Sequence, residues 1–249
     1  MNDRVLPTVY RQPLLSVHGL VKAFGNVRAV DGVNLDIYPQ EIVGIIGDNG
    51  AGKSTFLGLL GGFHQPDAGR FIYRGEEVTI TSPRTSRNRL RIEMVYQNLE
   101  LAPDLTTVEN LFVGQEMMVL GLFADRRRMW RRAEEVLHKL RTKISPRDIV
   151  GELSGGEKQT VAIGRALLFE RDVVIMDEPT AAISVQKVEE ILALITNLKS
   201  FGKTVLLVSH RLEDVLAVSD RIVVFYHGKI RKVLQNEALG FNDLIQEMF

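Results

Sequence analysis

The nine residues GDNGAGKST, Gly47 to Thr55, are the first stretch whose types and spacing can do chemistry. They follow the pattern of glycine, four residues, then Gly-Lys-Ser/Thr, between a valine- and isoleucine-rich run and a segment of helical character. Gly47, Gly50 and Gly52 let the backbone curl so that its N–H groups converge on an anion, and the start of a helix adds the positive end of its dipole. Lys53 is placed to reach outer phosphates. Ser54 offers a hydroxyl to Mg²⁺, which takes hard oxygen ligands and keeps several waters. With Asp48, Asn49, Ala51 and Thr55 the loop forms a cradle for a nucleoside triphosphate such as ATP.

VVIMDEPT supplies the complement. Asp177 is expected to end a buried strand, at the carboxyl edge where α/β sheets bind ligands, and to hold the metal through water. Glu178 beside it can orient or deprotonate an attacking water. An isolated acidic pair is often only a solvated turn, but this one accompanies a phosphate loop. His210 closes KTVLLVSH and can contact a γ-phosphate, the alternative being a structural histidine. A second glycine-rich stretch, LSGGEKQTVAIGRAL, places Ser154 and the N–H groups of Gly155 and Gly156 at the start of another helix whose dipole can face phosphate. Ile163, Ala166 and Leu167, at i, i+3 and i+4, give that helix an apolar face.

These residues need a scaffold that brings strand ends together. Four unalternated runs read as strands buried on both faces: EIVGIIG (from Glu41), DVVIMDEP (from Asp172), KTVLLVSH (from Lys203) and DRIVVFYHG (from Asp220). Between the runs lie segments of helical spacing, such as Val188, Ile191, Leu192 and Ile195. The fold class expected is α/β, a P-loop NTPase core with a parallel sheet covered by helices. Looser alternation from Leu14 and a hairpin around Arg74-Gly75 predict an antiparallel β flank. Residues 99–150 contain no convincing strand and carry the heaviest charge, which predicts a helical subdomain insertion with a turn at Ile144 to Arg147. The chain is read as one domain over 1–249: a core over about 14–98 and 151–235, the subdomain over about 99–150, and a C-terminal helix over 236–249. Leu239, Phe241, Leu244 and Ile245 are expected to turn inward from that last helix.

Composition sets the outer bounds. Of 249 residues, 45% are hydrophobic and 25% charged, the balance of a globular protein. The formal net charge is zero, from 31 basic and 31 acidic residues, so no global field draws the chain to nucleic acid or anionic lipid. The absence of cysteine excludes disulfides and thiolate metal sites. MNDRVLPTVYRQPLL lacks the apolar core of a signal peptide, and MMVLGLFA is less than half of a bilayer span.

In order along the chain, Lys53, Gln97 in MVYQN, LSGGE, VVIMDEP and Ser209-His210 resemble the nucleotide-binding subunit of an ABC transporter, over about Leu14 to Gly228. GDNGAGKST, MVYQNLELAPDLTTVENLFVGQE, DEPTAAISV and SHRLEDVLAVSDRIVV are most similar to ATPases of bacterial sugar importers of the ribose, xylose and fructose type. Many of those carry two modules in tandem, whereas this chain has one of each motif. The resemblance implies that Phe24 stacks on adenine, that Gln97 senses Mg²⁺ and a membrane partner, and that His210 completes the site. It implies too that LSGG of one copy caps the ATP held by another. The partners implied are a second copy of the chain, integral membrane permease subunits and, indirectly, a sugar-binding protein, at the cytoplasmic face of the inner membrane.

Three departures stand out. Glu157 occupies the fifth signature position where glutamine is common, a carboxylate that either lies near the triphosphate or points away from it. Ile183-Ser184 replaces the usual Leu-Asp. SRNRLRIEMVYQ is unusually basic, with no functional account in sequence. Leu111 to Arg132 carries methionines and leucines that suit either a helix-in-groove surface or subdomain core. Its arginines read as a solvated face near membrane head groups rather than a nucleic-acid site, since no aromatic platform interleaves them. Two alternatives to a transport ATPase remain at this level: an ATPase of the same family acting on nucleic acid or ribosomes, and a nucleotide-responsive binding module of low turnover.

Overall fold

The computed structural model describes residues 12–119, 122–181, 183–237 and 239–248. The first eleven residues of the stretch weighed as a signal peptide lie outside it, as do Leu120 and Gly121 of MMVLGLFA and Ala182 of DEPTAAISV. In chain order the elements begin with β1 (Leu15–Phe24), β2 (Val27–Ile37), β3 (Ile42–Ile46), α1 (Lys53–Gly61), β4 (Ala68–Tyr73), β5 (Glu76–Val78) and α2 (Pro83–Thr85). After a π-helical turn at Ser86–Leu90 come β6 (Ile92–Val95), α3 (Thr107–Phe112), β7 (Met118–Val119), β8 (Phe123–Ala124) and α4 (Arg126–Lys139). The chain then forms α5 (Gly155–Leu168), β9 (Val173–Asp177), α6 (Val185–Ser200), β10 (Thr204–Val208), α7 (Leu212–Val218), β11 (Arg221–Tyr226), β12 (Lys229–Gln235) and α8 (Phe241–Met248).

The central sheet has the order β12-β11-β3-β10-β9-β6. All neighbours from β11 to β6 pair in parallel, and β12 returns antiparallel to β11. Every residue of β3 and β10 is buried, the two-sided burial their unalternated sequences predict. Alternate side chains feed two cores. Val43, Ile45, Val173, Ile175, Leu206 and Val208 meet α1 and the β flank, while Ile42, Val174, Met176, Val205 and Leu207 meet α3 to α6. The flank is a separate antiparallel sheet, β2-β1-β4-β5, and its β4–β5 turn is the hairpin expected at Arg74-Gly75.

The site follows from this order. Gly47 follows β3, Gln97 follows β6, Asp177 ends β9, and Ser209-His210 follows β10, so four parallel strands deliver their carboxyl ends to one edge.

The structure adds two strands to those the sequence predicts and corrects two expectations. β6 is an additional parallel strand, concealed in sequence by Glu93 and by its length of four residues. β12 likewise lies outside the predicted runs, because as an edge strand with mostly exposed side chains it lacks an apolar stretch. The insertion is not free of strands: β7 and β8, two residues each, form their own sheet, too short for any periodicity to register. Its apolar residues also divide between the two readings, with Leu111, Phe112 and Met129 buried against α5 while Met118, Val119, Leu122 and Phe123 are exposed. Finally, Phe241 is exposed rather than inward. The cluster that α8 joins, Ile46, Val215, Ile222 and Val224, is small and is filled by Leu244, with Leu239 at its border. Among the described residues no helix is long and apolar enough to cross a membrane.

Candidate functional site

The phosphate loop is wedged by backbone on both sides. Gly47 has φ 146°, and a Cβ there would lie 2.2 Å from the Phe225 carbonyl oxygen of β11. Gly52 has φ 105°, and its Cβ would lie 2.2 Å from the Ala29 carbonyl oxygen of β2. No side chain fits at either position, which is why the loop needs glycine there. Lys53 Nζ donates to the carbonyls of Gly47 at 2.6 Å and Asp48 at 2.9 Å, folding over the loop it is to share with phosphate. Burial holds its pKa below the ordinary lysine value, opposed by Glu178, Asp48 and Asp177.

Asn49, Gly50, Gly52, Lys53, Ser54 and Thr55 line a cavity of about 700 Å³, faced by Gln97, Asp177, Glu178 and His210. The sequence-predicted chemistry is thus brought together by residues far apart in the chain. Burial, and then the neighbouring Glu178, push the Asp177 carboxyl above the ordinary aspartate value, with Lys53 pulling it back. Glu178 sits at φ 53°, a left-handed conformation uncommon for a residue with a side chain, and its N–H donates to Val208 O at 2.9 Å. Its Oε2 lies 2.7 Å from His210 Nδ1 and is claimed by no aligned hydrogen bond.

The donor set fits Mg²⁺. Among the described residues no group of three or more His, Asp or Glu forms a protein cage for a metal. Ser54 and Asp177 instead face the same cavity as the phosphate loop, the arrangement for an ion held largely by phosphate oxygens and water.

Several residues beyond those predicted shape the site. Ala29 and Val208 form apolar walls, and no local sequence signal marks them. Thr180 Oγ1 donates to the buried Asp214 at 2.5 Å, and Arg211 lies 3.2 Å from the same carboxylate, tying the loop after Glu178 to α7. Phe24 is not a wall of the phosphate cavity. Its ring is 47% exposed at the end of β1, edge-on to His64 at 5.2 Å and under Lys22.

Ser154 and Gly156 line a different cavity of about 540 Å³, walled by residues of α5, α6 and the loop after α4, and it shares no residue with the first. Gly155 opens α5 beside them. A single chain therefore keeps its second glycine-rich element away from its own phosphate loop. The Glu157 carboxylate turns back on the helix end. It accepts from Ser154 N at 2.9 Å and Ser154 Oγ at 2.7 Å, while Glu157 N donates to Ser154 Oγ at 3.4 Å, a capping box. These bonds hold its pKa below the ordinary glutamate value. Ser184 is the N-cap residue of α6 without a side-chain cap bond.

The chain matches a family model described as ABC transporter over residues 30–181. It is 40% identical to the xylose/arabinose import ATP-binding protein XylG of Sulfolobus acidocaldarius, over 94% of this chain and 93% of that protein. It is also 40% identical to a ribose import ATP-binding protein of Rubrobacter xylanophilus over 95% of this chain, but it spans only 48% of that longer protein. Among solved structures, it resembles a nucleotide-free ATP-binding cassette from an ABC transporter with a TM-score of 0.82 at 28% identity, covering 94% of each chain. It is also similar to a dimeric cassette in a post-hydrolysis state bound to ADP and phosphate, with a TM-score of 0.73 at 26% identity, covering 90% of this chain and all of that one.

Proposed function

This chain belongs to the ABC transporter family of ATP-binding proteins, and on that premise we propose that it powers import of a monosaccharide, a pentose above all, through separate membrane permease subunits. The observation that carries the reading is the separation of two half-sites. Lys53, Asp177, Glu178, Gln97 and His210 face one cavity, while Ser154 and Gly156 face another, as they would if a second ATPase subunit presented its own Ser154 element to the first. Dimeric relatives of this fold and the import proteins of similar sequence support it over action on nucleic acid and over a binding module of low turnover.

In this reading two ATP molecules lie between two copies. The Gly47–Thr55 loop and Lys53 bind the phosphates of each, the Glu178 carboxylate accepts a proton from the attacking water, and His210, 2.7 Å from Oε2, holds that carboxylate in place. Mg²⁺ would be held by Ser54 and, through water, by Asp177, with Gln97 beside it, and would neutralise charge on the transferring phosphoryl group. Ser154 and the N–H groups of Gly155 and Gly156 close over the triphosphate of the other copy. Phe24 supplies an exposed ring for the base. Hydrolysis removes the bridging phosphate, and the pair opens because the ligand that favoured the closed state is gone. Residues 99–150 act as the helical subdomain of one ATPase module and, with Gln97, pass the motion to a permease at the cytoplasmic face of the membrane. A sugar-binding protein acts on the far side.

The test is reconstitution of the chain with the membrane subunits encoded beside it in proteoliposomes, with a pentose-binding protein supplied. ATP-dependent uptake of labelled pentose, lost in Lys53→Ala, is expected. ATP hydrolysis that no permease and no sugar alters would set the import reading aside.

A further inference from the structure

Among the described residues the β7–β8 hairpin is paired only with itself, in a two-stranded sheet at the head of α4. Met118, Val119, Leu122 and Phe123 are 49, 45, 73 and 72% exposed there, although a hairpin this small gains little stability of its own. Immediately after it come Arg126, Arg127, Arg128 and Arg131, all exposed. Arg127, Arg128 and Arg131 have no ion-pair partner among the described residues, whereas Arg132 on the same helix pairs with Glu135 at 3.0 Å and Glu170 at 3.6 Å. The first turn of α4 carries no acidic residue, and Asp125 caps it by accepting from Arg128 N. Cations in a first turn oppose the helix dipole, so these arginines do not serve their own helix. The buried face of α4, Met129, Ala133, Val136 and Leu137, accounts for its packing without them.

We propose that the β7–β8 hairpin and the first two turns of α4 form a contact surface for anionic phospholipid head groups. Unpaired arginines beside exposed Met, Leu and Phe side chains combine attraction to a negative interface with shallow burial of apolar tips. Charge complementarity favours lipid: the chain has no net charge, so this local excess is what an anionic surface would read. An apolar projection set among cations fits a soft interface, whereas a partner helix calls for a groove. The inference stands apart from the sugar-import reading, since it concerns only this patch.

The experiment is sedimentation of the purified chain with extruded vesicles of phosphatidylcholine alone or with phosphatidylglycerol added. Partition onto the phosphatidylglycerol vesicles is expected, weakened by salt, and reduced about tenfold or more in Arg127→Glu/Arg128→Glu/Arg131→Glu. Leu122→Ser/Phe123→Ser should weaken it on the same vesicles. ATP turnover without lipid should match wild type in both variants, which reports that they fold. Equal partition onto both vesicle types, or partition untouched by charge reversal, overturns the proposal. So does the absence of vesicle binding together with permease co-purification that is lost in the Leu122→Ser/Phe123→Ser variant, which would make the patch a protein-docking surface.

Discussion

Glu178 Oε2 and His210 Nδ1 lie 2.7 Å apart, across the carboxyl ends of the neighbouring strands β9 and β10. The two side chains contrast in setting, with 15% of the glutamate and 68% of the histidine side chain exposed. The strand pairing fixes the glutamate end, because Glu178 N donates to Val208 O just where β10 finishes. The left-handed backbone at Glu178 is a strained conformation that the surrounding bonds must hold. A strained acid and an exposed imidazole in contact with it thus form one corner of the phosphate cavity.

Glu178→Gln keeps the shape of that corner and removes the carboxylate proposed as its base. Phosphate release should fall by roughly 10²–10⁴-fold while ATP binding persists, and an ATP-bound dimer should accumulate on size-exclusion chromatography. His210→Ala should lower turnover with Glu178 intact. Wild-type turnover in Glu178→Gln would remove this residue from the hydrolytic step.

Much of this corner was legible in sequence because each part is local. A phosphate loop, an acidic pair and a histidine each sit at the end of a buried run, and parallel strands bring such ends together. Residues that act across space left no signal, as with Ala29 at the cavity wall and Asp214 under Thr180. The β7–β8 hairpin was too short to show a period, and Phe241 sits at the helical spacing of Leu244 without reaching the core. The orientation of Glu157 was written in the chain, since Ser154-Gly-Gly-Glu157 spells a capping box.

Asp177 is held against its own ionisation, so function here opposes stability. Because its pKa is raised in the folded protein, the native state binds the proton more tightly than the unfolded chain does. The resulting penalty is full above the folded pKa and absent below the ordinary value of 3.8. Asp177→Asn should therefore raise the Tm of the nucleotide-free protein at neutral pH by roughly 2–4 °C while abolishing turnover. The gain should fade as pH falls through the acid range. A lower Tm for Asp177→Asn at neutral pH would contradict the penalty.

Glu157 works in the opposite sense. Its pKa is depressed by the bonds from Ser154, so its contribution is present above the ordinary value of 4.5 and lost as pH falls through the folded one. Glu157→Ala removes the carboxylate half of the capping box, leaving Ser154 Oγ to accept from the residue-157 N–H, and should cost roughly 0.3–1 kcal/mol in urea denaturation at neutral pH. Glu157→Gln keeps an acceptor for Ser154 and should cost about 0.5 kcal/mol or less, since the site is exposed. The gap between wild type and Glu157→Ala should narrow in acid. A gap that stays constant with pH would mean the carboxylate is not what holds the helix end.

Two arginines of the basic stretch before Gln97 pair with acids, Arg87 with the buried Glu93 and Arg91 with the half-buried Asp172. Glu93 is 2% exposed on β6, with Arg171 Nε at 3.4 Å and Arg87 Nε at 3.7 Å. Arg171 also donates to the Arg87 carbonyl at 3.2 Å and to Gln115, so one guanidinium joins the sheet, the π-helical turn and the start of the insertion. Arg91 and Arg74 do the same for Asp172, at 3.2 and 2.7 Å. Removing one partner of a buried pair strands the other charge, at a cost of about 3–5 kcal/mol, whereas replacing both with apolar side chains is often nearly neutral. Arg171→Leu should therefore lower Tm by roughly 10 °C, and Glu93→Leu/Arg171→Leu should recover most of that loss. Scanning calorimetry of the two variants and of Glu93→Leu closes the double-mutant cycle. A double variant as unstable as the sum of the singles would show that the two side chains contribute independently, and that the stranded charge is not the source of the cost.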